Sequence, residues 1–153
     1  MAESSVTSTR VTWVDGLMFV STAEGSHGSF VLDAKSEAGG RDSGTLPMEA
    51  LLSALGSCTG MDVISILVKK RQRITALEVN VRGHHAEEHP RRYTHIEVEF
   101  VVRGFDVSPE AVARSIELSQ ATYCSVTASL NAEVSTTFRV EEEGAAAGEP
   151  PPE

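Results

Sequence analysis

The chain is poor in cysteine: Cys58 and Cys124 are its only two, far apart in 153 residues. That excludes a disulfide-stapled miniature domain, and the lack of any Cys-x-x-Cys or paired Cys/His spacing argues against a zinc site. No metal and no cofactor are expected. Basic charge is scarce as well. The net charge is −9, and the only basic runs are Arg91-Arg92 and Lys69-Lys70-Arg71, so nucleic acid is not an expected partner. The N-terminus, Met1-Ala2-Glu3-Ser4-Ser5, lacks the basic and then apolar segments of a signal peptide. The one long apolar stretch, 47–68, is interrupted by Glu49, Ser53, Ser57, Thr59, Asp62 and Ser65, so it is not read as a membrane span. The expected location is cytoplasmic, where two cysteines are more often thiols or a transient redox pair than a structural disulfide.

What remains reads as one domain over 7–140, between a loose start at 1–6 and an acidic, Pro/Ala-rich tail at 141–153 expected to be disordered. Val11, Trp13, Leu17 and Phe19 flank Val14-Asp15-Gly16, a hairpin signal, and Ser29-Phe30-Val31-Leu32 offers a third strand. A glycine-rich loop over 36–46 leads to Pro47, well suited to a first helical position, with Glu49 in the first turn. The helix is predicted to run to about Gln72, ending in the basic Lys69-Lys70-Arg71. Alternating strands follow at 77–81 and 96–102, separated by a polar turn over 84–92. Ser108-Pro109-Glu110 is an N-cap and N1-proline start for a second helix, with Val112, Ile116 and Ser119 on one face and an end near Thr122. A last strand covers 133–140. The order predicts an α+β fold with helices packed on antiparallel sheets. The first helix is apolar around nearly its whole circumference, which calls for a partner subunit to cover it.

Cys58 lies on that helix, flanked by Gly56 and Gly60, and Cys124 follows the second helix. Cysteine is often simple packing, so the two readings are inert filler and a reactive thiol pair meeting only in the fold. Asp62 shares the face of Cys58 at i+4. Glu49, nine residues earlier, lies about 900° around the helix and so on the opposite side, unless the helix breaks near Gly56. The glycines could serve substrate access or tight helix packing. His84, His85 and His89 fall in the polar turn, where three histidines are more often solvated than metal-bound.

The segment Gly44-Thr45-Leu46-Pro47-Met48-Glu49-Ala50-Leu51-Leu52-Ser53-Ala54-Leu55-Gly56-Ser57-Cys58-Thr59-Gly60-Met61-Asp62-Val63, with Tyr123-Cys124-Ser125-Val126, resembles the OsmC/Ohr family, nearest to its YhfA-type branch. The resemblance covers roughly 7–140. It implies an OsmC-like intertwined homodimer, with antiparallel sheets around two long central helices. It also implies an antioxidant, stress-response thiol peroxidase acting on organic hydroperoxides. Cys58 would be the peroxidatic thiolate, and Cys124 would resolve its sulfenic acid as a disulfide that an external dithiol reduces. Glu49 is carried over as a further catalytic residue. The arginine that activates the thiolate in the hydroperoxide-resistance branch has Val14 in its place here; Arg41 is the substitute cation, with Arg10 behind it. The alternatives are a non-catalytic dimeric stress or binding protein with a hydrophobic interface pocket, and a redox sensor.

Overall fold

The computed structural model describes residues 5–144 and divides into two compact units, one ending at Leu51 and one beginning at Leu52. The N-terminal unit is an antiparallel sheet in the order β1 (Thr9–Asp15), β2 (Met18–Ala23), β3 (Ser29–Leu32). The hairpin expected at Asp15-Gly16 is present, with Gly16-Leu17 as its two-residue loop. Gly16 adopts φ +54°, which a side chain would resist. The glycine-rich loop contains a single 3₁₀ turn, Ser36–Ala38. It closes on Asp33, whose buried carboxylate accepts the backbone N–H groups of Ala34, Arg41 and Ser43. These donors, Ser43 first, hold Asp33 below the usual carboxylate range.

The long helix α1 (Pro47–Lys69) starts at the expected proline and stops three residues short of the expected end. The reason is a Schellman cap: Gln72 N–H bonds the Leu67 carbonyl and Arg71 N–H bonds that of Val68, with Arg71 in the left-handed region at φ +56°. By length and composition α1 could cross a membrane. Its stripe of Leu55, Gly56, Thr59, Gly60, Val63 and Leu67 is instead buried within the protein. At both glycines the helix packs close against the sheet. A Cβ at Gly56 would come 2.8 Å from Val81 Cγ2, and one at Gly60 3.4 Å from Val79 Cγ2. Tight packing, rather than access to the thiol, therefore accounts for both glycines.

The C-terminal unit holds a three-stranded sheet in the order β4 (Arg73–His85), β5 (Tyr93–Phe105), β6 (Glu133–Glu142). β4 and β5 are antiparallel as expected, while β5 and β6 pair in parallel from His95↔Glu133 to Gly104↔Glu142, so this sheet is mixed. The chain between β5 and β6 is a helical crossover, long enough for β6 to re-enter in the direction of β5. That crossover comprises α2 (Pro109–Leu118), a π-helical turn (Ser119–Tyr123) and a short α3 (Ser125–Ser129). Ser108 caps α2 as its sequence predicts, accepting the Ala111 N–H. β4 also runs further than expected, taking His84 and His85 into the ladder opposite His95 and Tyr93.

β5 is the middle strand and supplies a larger share of the core than any other element: Ile96, Val98, Phe100, Val101 and Val102 are all essentially inaccessible. β6 extends through Glu141 and Glu142, two residues into the stretch assigned to the disordered tail. Glu141 is bridged by Arg103 from β5 and by Arg139, which together depress its pKa. The rest of that assignment, from 145 onward, and the first four residues of the loose start lie outside the described residues.

Candidate active site

Two elements of the C-terminal unit meet at the thiols. Cys58 projects from the middle of α1 and is partly exposed; Cys124 is buried at the N-cap of α3. The wide π-helical turn delivers Cys124, and its N–H closes that turn on the Ser119 carbonyl at 2.8 Å. Both cysteines are free thiols. Their sulfurs and a carboxylate oxygen of Asp62 all lie within 4.8 Å of one another. The two sequence-distant cysteines therefore do converge, and Asp62, one turn after Cys58, joins them.

Each of the three has a fixed hydrogen-bond partner. The Cys58 sulfur accepts the backbone N–H of Val126, and the Cys124 sulfur accepts that of Thr127 at 3.4 Å. Ser119 Oγ donates to Asp62 Oδ2 at 2.8 Å. A hydroxyl has one proton, so once Ser119 gives its own to Asp62, Thr59 must donate to Ser119 in their buried 2.9 Å bond. Gln120 Nε2 in turn donates to Thr59 Oγ1 at 3.1 Å. The chain Gln120→Thr59→Ser119→Asp62 thus points its protons at the carboxylate beside the sulfurs.

Electrostatics at Cys58 oppose ionisation. Burial is the largest influence and pushes the thiol up; the Val126 N–H works against it, while Cys124 and the Asp62 charge add to the rise. Both candidate cations are paired with carboxylates. Arg41 pairs with Asp15, and Arg10 pairs with Glu24 at 3.3 Å, all within the N-terminal unit. Glu49 accepts the Leu46 N–H at 3.1 Å, the reciprocal bond of a capping box, and α1 passes Gly56 without a break. The histidines are spread along the sheet: His84 faces Glu97 at 3.3 Å and His85 Nδ1 bonds the Arg91 carbonyl at 2.7 Å.

Sequence reasoning missed Ser119, Thr59, Gln120 and the peptide N–H groups of Val126 and Thr127. One signal was present. Ser119 sits on the same face as Val112 and Ile116, and all three are buried. A polar residue on an apolar helical face needs a partner, and here the partners are the site.

Comparison with known proteins identifies the family. The family model described as OsmC-like protein matches residues 40–139. Protein YhfA of Escherichia coli strain K12 is 40% identical over 132 residues, 86% of this chain and 95% of that protein. A crystal structure of a protein from Aquifex aeolicus VF5 is 30% identical, with a TM-score of 0.80 over 92% of this chain and 100% of that one. An organic hydroperoxide resistance protein from Elizabethkingia anophelis shares the fold at 13% identity, with a TM-score of 0.64 over 94% of this chain and 100% of that one. With a matching family model over most of its length and a closely related YhfA, this chain belongs to the OsmC-like protein family.

Proposed function

We propose that the protein is a thiol-dependent hydroperoxide reductase, with Cys58 as the attacking thiolate and Cys124 as the resolving thiol. The observation that carries this reading is the meeting of the two free sulfurs on a fold shared with hydroperoxide resistance proteins. The Cys58 thiolate attacks one peroxide oxygen, the O–O bond breaks, and sulfenic acid and alkoxide form. The alkoxide takes a proton to leave as alcohol. Cys124 then attacks the sulfenic sulfur, a disulfide forms, and water leaves; a dithiol restores both thiols. The reading places the protein in the cytoplasm, where such donors are found. The Val126 N–H supports the thiolate in place of the missing arginine, and Glu49 serves the helix start.

The raised thiol gives a testable pH signature. Only the thiolate reacts, and its fraction rises about tenfold per pH unit below the pKa. With cumene hydroperoxide and a dithiol donor, kcat/KM is expected to climb steadily through neutral pH and beyond the ordinary thiol range. A plateau at or below pH ~7 would show a depressed thiol instead. The same raised thiol favours a second reading, a non-catalytic binding protein, which predicts no consumption at any pH in that series.

The reading includes a homodimer. Val11, Trp13, Phe30, Met61 and Val68 are exposed apolar side chains on β1, β3 and α1, more than a lone chain of this size needs to leave in water. Sedimentation of the full chain is expected to give twice the monomer mass at micromolar concentration; a monomer there removes the dimer from the proposal.

A further inference from the structure

The spacing of Cys58 and Cys124 gave no hint of a metal site, yet the fold gathers two sulfurs and one carboxylate oxygen within 4.8 Å of one another. We propose that the reduced protein binds one Zn²⁺ through Cys58, Asp62 and Cys124. In a tetrahedral site with Zn–S near 2.3 Å and Zn–O near 2.0 Å, the sulfurs stand about 3.8 Å apart and each lies about 3.5 Å from the oxygen, so no pair in this cluster has to close by more than about 1.3 Å. Two thiolates and a carboxylate are a soft-to-borderline donor set that suits zinc over calcium or magnesium.

Orientation is already supplied. Each of the three ligands has one hydrogen bond behind it: Val126 N–H on the Cys58 sulfur, Thr127 N–H on the Cys124 sulfur, and Ser119 Oγ on the Asp62 carboxylate. Such partners fix ligand geometry in metal sites. The cluster brings three acidic groups together, so a divalent ion compensates their charge. Cys58 and Asp62 are only part-buried, which leaves an entry path and a fourth position for water.

The site stands on the cluster alone and does not depend on the peroxidase reading. If both hold, a hydroperoxide releases the metal by oxidising its ligands. A hydroperoxide converts the two zinc-bound thiolates into one disulfide, takes up two protons, leaves one alcohol and one water, and frees the ion. Reduction by a dithiol restores the site.

The test uses the reduced full-length chain and Co²⁺ as a spectroscopic probe, later displaced by Zn²⁺. One equivalent of Co²⁺ is expected to give thiolate-to-metal charge-transfer bands, falling to about half in Cys124→Ser. Ser119→Ala, which keeps all three ligands, is expected to weaken zinc about 10- to 100-fold in competition with a chromophoric chelator. Wild-type protein oxidised with diamide, which removes both thiolates without mutation, should show no bands. Absence of the bands in reduced wild type overturns the proposal. So does undiminished zinc affinity of the Cys58→Ser/Cys124→Ser double variant in the same chelator competition, which would place the ion on other side chains.

Discussion

Cys58→Ser is expected to lower dithiol-dependent consumption of organic hydroperoxide by more than about 10³-fold, the scale on which removal of a covalent nucleophile is felt. A serine hydroxyl at neutral pH offers almost no anion and is a poor nucleophile toward peroxide oxygen, whereas a thiol with even a raised pKa ionises in part. The substitution exchanges one atom at a partly exposed position, so the fold should survive and the loss can be read as chemistry. Cys124→Ser should behave differently. Its Cys58 can still be oxidised once, so one equivalent of peroxide is consumed and a sulfenic acid accumulates, detectable by a dimedone adduct in intact-protein mass spectrometry. Wild-type consumption no greater than that of Cys58→Ser would end the peroxidase reading. Full multiple turnover by Cys124→Ser would remove only the resolving role.

The largest effect on stability is expected from Phe100→Ala, at about 3–5 kcal/mol. Phe100 is fully buried on the middle strand β5, opposite Val79 of β4 and Phe138 of β6. A domain of this size has only about 5–15 kcal/mol of stability in total, so the variant should sit close to its unfolding threshold. Urea denaturation followed by circular dichroism checks this through a lowered midpoint with an unchanged slope. A shift worth less than about 1 kcal/mol would mean that β5 is not where the core energy resides.

Local signals in the sequence were reliable where the chain's own chemistry decides the structure. Asp15-Gly16, Pro47 and Ser108-Pro109 each mark a place where one or two residues fix the backbone, and each element begins or turns there. The convergence of Cys58 and Cys124 came instead from family resemblance, because two residues on separate elements leave no periodic trace of their meeting. The parallel pairing of β6 was hidden for the same reason. Its residues alternate like those of an antiparallel strand, and only the length of the crossover sets its direction. The cations legible in the sequence, Arg41 and Arg10, are side chains. What the fold presents to the sulfurs are peptide N–H groups at 126 and 127, which every sequence possesses and none advertises.

The wide turn at Ser119–Tyr123 has a consequence for how this chain can vary in length. It holds one residue more than an α-helical turn spanning the same distance, and that surplus sets the phase of everything after it, Cys124 first. Substitutions along the turn alter single contacts. Loss of one residue would tighten it to ordinary helix and swing the following position by about 100°, carrying the second sulfur away from the first. The spacing between the two cysteine segments is thus tied to a count of residues as firmly as to their identity.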